Sequence, residues 1–220
     1  MARRTAQAPR PTPQKDLVVL TADKQAEFTL RGLFTRFRSL GIRELRPGDN
    51  CSIFVHLEKD AGCRLRAHDF LRSQSPQYRF ALVMFDQEGC GQEDCTAEEL
   101  EAEVEQRLTA SGWTGRSAAV VLHPQLEIWV WSRSPHVATV LGWQGQPVPL
   151  EAWLRAQGFL AADQVKPTRP KEAMLAALRQ VKKPPSAALF QELAEKVSLV
   201  GCADRCFQKL TRTFQAWFPA

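Results

Sequence analysis

The sequence predicts an α/β fold, a mostly parallel central sheet flanked by helices, with a C-terminal helical appendage. Three observations carry that expectation. Short apolar runs recur at 17–22, 51–57, 80–85 and 118–122, and an unalternated apolar run is the pattern of a strand buried on both faces. Segments with helical spacing separate these runs, which implies right-handed crossovers between parallel strands. Beyond residue 145 the chain reads as helical, with proline-rich hinges near 167–170 and 184–185.

Taken in order, Leu17 to Ala22 is the first strand, and it ends at Asp23. From Gln25 onward, Phe28, Leu30, Leu33, Phe34 and Phe37 place bulk on one broad helical face. Cys51 to Leu57 reads as a second strand, and Leu65 to Arg72 as a short helix carrying His68 and Asp69. Phe80 to Phe85 is the best central strand and stops abruptly in Asp86-Gln87-Glu88-Gly89. Thr96 and Glu99 form a capping-box pattern ahead of Leu100, Val104 and Leu108, in a helix ending near Gly112. Ala118 to Leu122 is the fourth strand. Later, Lys166-Pro167-Thr168-Arg169-Pro170 reads as a hinge and Lys183-Pro184-Pro185 as a second break. Ser186 then caps a helix bearing Leu189, Phe190, Leu193 and Val197. The expected organisation is a tail over 1–15, an α/β domain over 16–145 and a helical region over 146–220.

A chain of 220 residues that is 44% hydrophobic and 24% charged excludes wholesale disorder. No apolar stretch approaches the roughly 18 residues of a membrane-spanning helix. The opening MARRTAQAPRPTPQK holds three prolines and four basic residues instead of a secretory apolar core, so residues 1–15 read as a disordered basic tail and the expected location is cytoplasmic. Six cysteines are too sparse for a disulfide scaffold. The pairs Cys90–Cys95 and Cys202–Cys206 are spaced more loosely than a zinc knuckle. Charge is uneven: residues 16–164 carry 15 basic and 20 acidic side chains, and residues 165–220 carry 10 and 4. Lys166, Arg169, Lys171, Lys182 and Lys183 are therefore candidates for contacting nucleic-acid phosphates, the alternative being a solvated helix face.

Ligands of an open α/β sheet gather beyond the carboxyl ends of its strands, and the residues expected there are acidic. Asp23 closes the first strand, Asp86 and Glu88 the third, and Glu127 follows the fourth. Converging carboxylates repel unless a cation neutralises them, and their hard oxygens suit Mg²⁺ or Mn²⁺. Asp23, Asp86, Glu88 and Glu127 are thus candidate metal ligands. Glu27, four residues after Asp23, is a candidate base beside a catalytic Asp86. Turn formation and offsetting of helix dipoles are the plainer uses of the same acids.

The stretches LTADKQAEFTLRGLF, LVMFDQEG and HPQLEIWVW resemble the Toprim-like proteins of bacterial defence islands. There a strand ends in Glu-Gly-x-Thr-Glu before a helix, a central strand ends in an acidic pair, and a later Glu-x-Trp follows another strand. The resemblance spans Leu17 to Trp131, with Asp-Lys standing where Glu-Gly is expected. It implies a Mg²⁺-dependent phosphodiester site in which Asp23 and Glu27 match the two glutamates of the first motif, Asp86 with Glu88 the acidic pair, and Glu127 the later glutamate. It further implies a nuclease-like component of antiviral defence, such as a methylation-associated phage-defence system. The alternative is a catalytically inactive adaptor whose C-terminal helices recruit another defence protein.

Overall fold

The computed structural model describes residues 15–220, and its architecture is the expected α/β one. Strands β1 (Lys15–Thr21), β2 (Cys51–Val55), β3 (Tyr78–Asp86) and β4 (Ser117–Leu122) form one all-parallel sheet in the order β2-β1-β3-β4. The tail falls outside the described residues except for Lys15, which is the first residue of β1. Around the sheet lie α1 (Lys24–Thr35), α2 (Phe37–Leu40), α3 (Lys59–Arg72) and α4 (Ala97–Leu108). They are followed by α5 (Pro135–Leu141), α6 (Leu150–Ala156), α7 (Pro170–Gln180), α8 (Ala187–Lys196) and α9 (Arg205–Trp217).

Strand residues alternate between faces, and here both faces are apolar, which explains the continuous runs. Val18, Leu20, Val83, Phe85 and Val121 pack under α3 and α4 with Cys63, Leu71, Leu100 and Val104. On the opposite face Leu17, Val19, Leu82, Met84 and Val120 pack with Leu30 and Leu33 of α1. Leu189, Phe190 and Leu193 of α8 and Leu210 and Phe214 of α9 belong to that same core. Residues on both sides of 145 therefore share one core, and the expected appendage forms part of the sheet's cover. Gly32 makes this possible: a Cβ there would lie 2.5 Å from the Gln191 carbonyl oxygen and 2.8 Å from the Ala194 Cβ, so only glycine lets α1 and α8 approach so closely.

Both proline-rich breaks are anchored. Pro170 occupies the first turn of α7, where the missing N–H costs nothing, and its carbonyl accepts a hydrogen bond from Trp131 Nε1 at 3.0 Å. Ser186 caps α8 through the Leu189 amide, and the Thr96–Glu99 capping box is formed as expected. Helix α3 departs from expectation by starting at Lys59 instead of Leu65. Its buried residues are Gly62, Cys63, Arg64, Ala67 and Leu71, and a set dominated by small or charged side chains leaves little apolar periodicity to read.

Candidate functional site

Four elements bring carboxylates to the carboxyl edge of the sheet. Asp23, just beyond β1, is the N-cap of α1 and accepts the Ala26 amide at 2.8 Å. Asp60 lies in the first turn of α3 and accepts the Asp86 amide at 2.9 Å. Asp86 closes β3, and its Oδ1 accepts the Leu126 amide at 2.9 Å. Leu126 opens a 3-10 turn, Leu126–Trp129, which places Glu127 at 3% exposure. Asp60, Asp86 and this turn are thus threaded by two carboxylate-to-amide bonds that fix the loops after β2, β3 and β4.

The electrostatics tie these groups together. Burial, then the negative charges of Asp60, Glu127 and Asp23, push the Asp86 carboxyl well above its ordinary value, against the Leu126 amide. Burial raises Glu127, with Asp23 and Glu88 adding repulsion and Lys171 opposing it. Burial also raises Asp60, where Asp23 again repels while the Asp86 amide and Lys171 act the other way. Of the expected acids, Asp23, Asp86, Glu88 and Glu127 therefore share one field, although Glu88 is exposed. Asp60 was not foreseen. Its signal was an acid in the first turn after a strand, as for Asp23, hidden by the misplaced start of α3.

Glu27 does not join them. It is buried between Lys24 and Arg31, at 2.7 Å from each. Burial opposes its ionisation, but the hydrogen bonds and charges of these two cations outweigh burial and hold Glu27 below its ordinary value, which disfavours service as a base.

The five basic candidates do not form one patch of open cations. Lys166 donates to the Ile128 carbonyl at 2.9 Å and is ion-paired with Asp204. Lys183 donates to the Val140 carbonyl at 2.6 Å, near the end of α5. The Arg169 guanidinium lies over the Phe159 ring, 5.7 Å from its centroid. Lys182 is exposed. Lys171 instead lends its charge to the carboxylate edge.

Among the described residues no three His, Cys, Asp or Glu side chains are grouped to hold a metal ion. The donor chemistry still fits Mg²⁺ or Mn²⁺, because such an ion commonly takes one or two protein carboxylates and completes its shell with water and substrate phosphate. The cysteines are free, and burial pushes the Cys51 thiol up to about 12, consistent with a core residue. No known protein family, curated protein or solved structure matches the chain.

Proposed function

We propose that this chain is a Toprim-like, cytoplasmic component of a bacterial antiviral defence system, with a nuclease-like site that uses Mg²⁺ or Mn²⁺ on nucleic-acid phosphodiesters. The observation that supports this reading best is the joining of Asp60, Asp86 and the turn carrying Glu127 at the sheet's carboxyl edge by the Asp86 amide donating to Asp60 and the Leu126 amide donating to Asp86, where burial and the neighbouring carboxylates raise Asp86. Asp86 with Asp23 would hold the cation, and Glu127 and the exposed Glu88 would add negative field. A bound cation would polarise a phosphoryl oxygen and neutralise developing charge. Asp60 and the Leu126 amide orient Asp86, and Lys171 brings positive charge to an otherwise acidic edge. Among the described residues no helix is long and apolar enough to cross a membrane.

The test is incubation of the purified protein with plasmid DNA and structured RNA in Mg²⁺ and in Mn²⁺, beside Asp86→Asn and a chelator control. Cleavage that needs the metal and disappears in the variant is expected. No cleavage of either nucleic acid in either metal overturns the nuclease reading.

One observation favours the adaptor reading instead: the expected base, Glu27, is neutralised by Lys24 and Arg31. An apolar cavity of about 790 Å³ between α1, α8 and the 3-10 turn, lined by Leu33, Trp129, Leu193 and Phe207, offers a surface for a partner. An inactive protein that still captures a defence-system protein through this region supports that reading.

A further inference from the structure

The two edges of the sheet are finished differently. At β4 the outward amides of Ala119 and Val121 donate to Glu105 at 2.9 Å and to Glu101 at 3.0 Å. Arg205 and Lys209 of α9 pair with these carboxylates. That edge is closed by side chains and covered by a helix, a usual protection against stray strand pairing.

At β2 the ladder to β1 is bracketed by the Leu17 amide donating to the Asn50 carbonyl at 3.3 Å and the His56 amide donating to the Thr21 carbonyl at 2.8 Å. Even-numbered residues of β2 therefore face β1, and odd-numbered ones face outward. Cys51 is covered: its amide donates to the Arg46 carbonyl and its carbonyl accepts from Gly48. Ile53 and Val55 have no outward backbone partner among the described residues. The strand, Cys-Ser-Ile-Phe-Val, carries none of the charges or prolines that blunt natural edges. Beside it Leu57 is 98% exposed, Leu65 and Phe70 are also exposed, and Phe70 packs edge-on against Phe54 at 5.5 Å.

We propose that the β2 edge pairs antiparallel with the β2 edge of a second copy of this chain, joining two four-stranded sheets into one continuous sheet. The open residues dictate the register. Ile53 meets the second copy's Val55, Val55 meets its Ile53, and the two-fold axis passes at Phe54. Both open amides and both open carbonyls of each copy are then satisfied. The two Phe54 residues fall at a non-hydrogen-bonded position, where side chains approach closest and aromatic pairs are favoured. An unrelated extended peptide would satisfy the backbone alone, whereas self-pairing accounts for the backbone and the aromatic pair together.

Sedimentation of the full chain over a wide concentration range tests this, alongside Val55→Pro and Phe54→Lys. Proline at 55 removes an outward donor without breaking the ladder to β1, and lysine at 54 sets like charges across the axis. The wild type is expected to sediment as a dimer, and both variants at half its mass with native circular dichroism. A monomeric wild type at every concentration, or a dimer that survives in either folded variant, overturns the proposal. Should Val55→Pro fail to fold, Phe54→Lys decides. A monomeric wild type that binds an extended peptide at this edge would also refute pairing with a second copy.

Discussion

Replacing Glu101 with alanine perturbs a buried carboxylate that joins α4 to both β4 and α9. Glu101 accepts the Val121 amide at 3.0 Å and pairs with Arg205 and with Lys209, the latter at 3.0 Å. A buried ion pair broken from one side typically costs about 3–5 kcal/mol, because the remaining charge is stranded. Here the stranding is incomplete. The Arg205 side chain is 40% exposed and that of Lys209 is 24% exposed, and Lys209 keeps Glu105 at 2.8 Å. Both cations can turn toward water, so the main loss is the orphaned Val121 amide, about 1–3 kcal/mol. A loss of about 2 kcal/mol would lower Tm by roughly 4–8 °C in a chain of this size. Glu101→Gln keeps an acceptor for that amide and should lose only about 1 kcal/mol, the net worth of one ordinary hydrogen bond. Equilibrium urea unfolding of both variants, with unchanged m, measures this. Alanine within about 0.5 kcal/mol of wild type, or glutamine as costly as alanine, would refute the reasoning, since the amide would not be the principal loss.

Two further perturbations follow from the packing and the charge field. Because the folded state holds the Asp86 proton above the ordinary value of 3.8, the stability penalty is absent below that value and grows as pH rises toward the raised one. Asp86→Asn, which preserves an acceptor for the Leu126 amide, should therefore melt above wild type at pH 7, with the gap closing as pH falls toward 3.8. Melting curves across that range check it, and a variant less stable than wild type at pH 7 would contradict the assigned repulsion. Gly32→Ala should cost about 1–3 kcal/mol by overpacking, since the Gln191 carbonyl met at 2.5 Å is backbone and cannot rotate aside. Urea unfolding with a free energy equal to wild type would show that α1 and α8 can separate without loss.

Strands β1, β3 and β4 were legible because each is buried on both faces, so their cores are apolar runs whose signal depends on no partner. The capping box at Thr96 and the cap at Ser186 were legible for a similar reason, since the donor and acceptor lie three residues apart. The pairing of Glu27 was equally local: Lys24 and Arg31 lie at i−3 and i+4, on one helix face. The start of α3 was not legible, because the buried side of its first turns is Gly62, Cys63 and Arg64, with no large apolar side chain, and Asp60 was lost with it.

The sequence by itself determined the α/β class, the four strands, the helical character of the C-terminal region and the presence of Asp23, Asp86 and Glu127 near strand ends. Tertiary structure decided where those pieces went. Only folding puts Asp60 onto the Asp86 amide, turns Lys166 and Lys183 inward, sends Lys171 to the acidic edge and closes β4 with Glu101 and Glu105. The physical reason is range. Periodicity and capping are set by neighbours a few residues apart, whereas a carboxylate's partner and the fate of a sheet edge depend on segments that chain folding alone brings together.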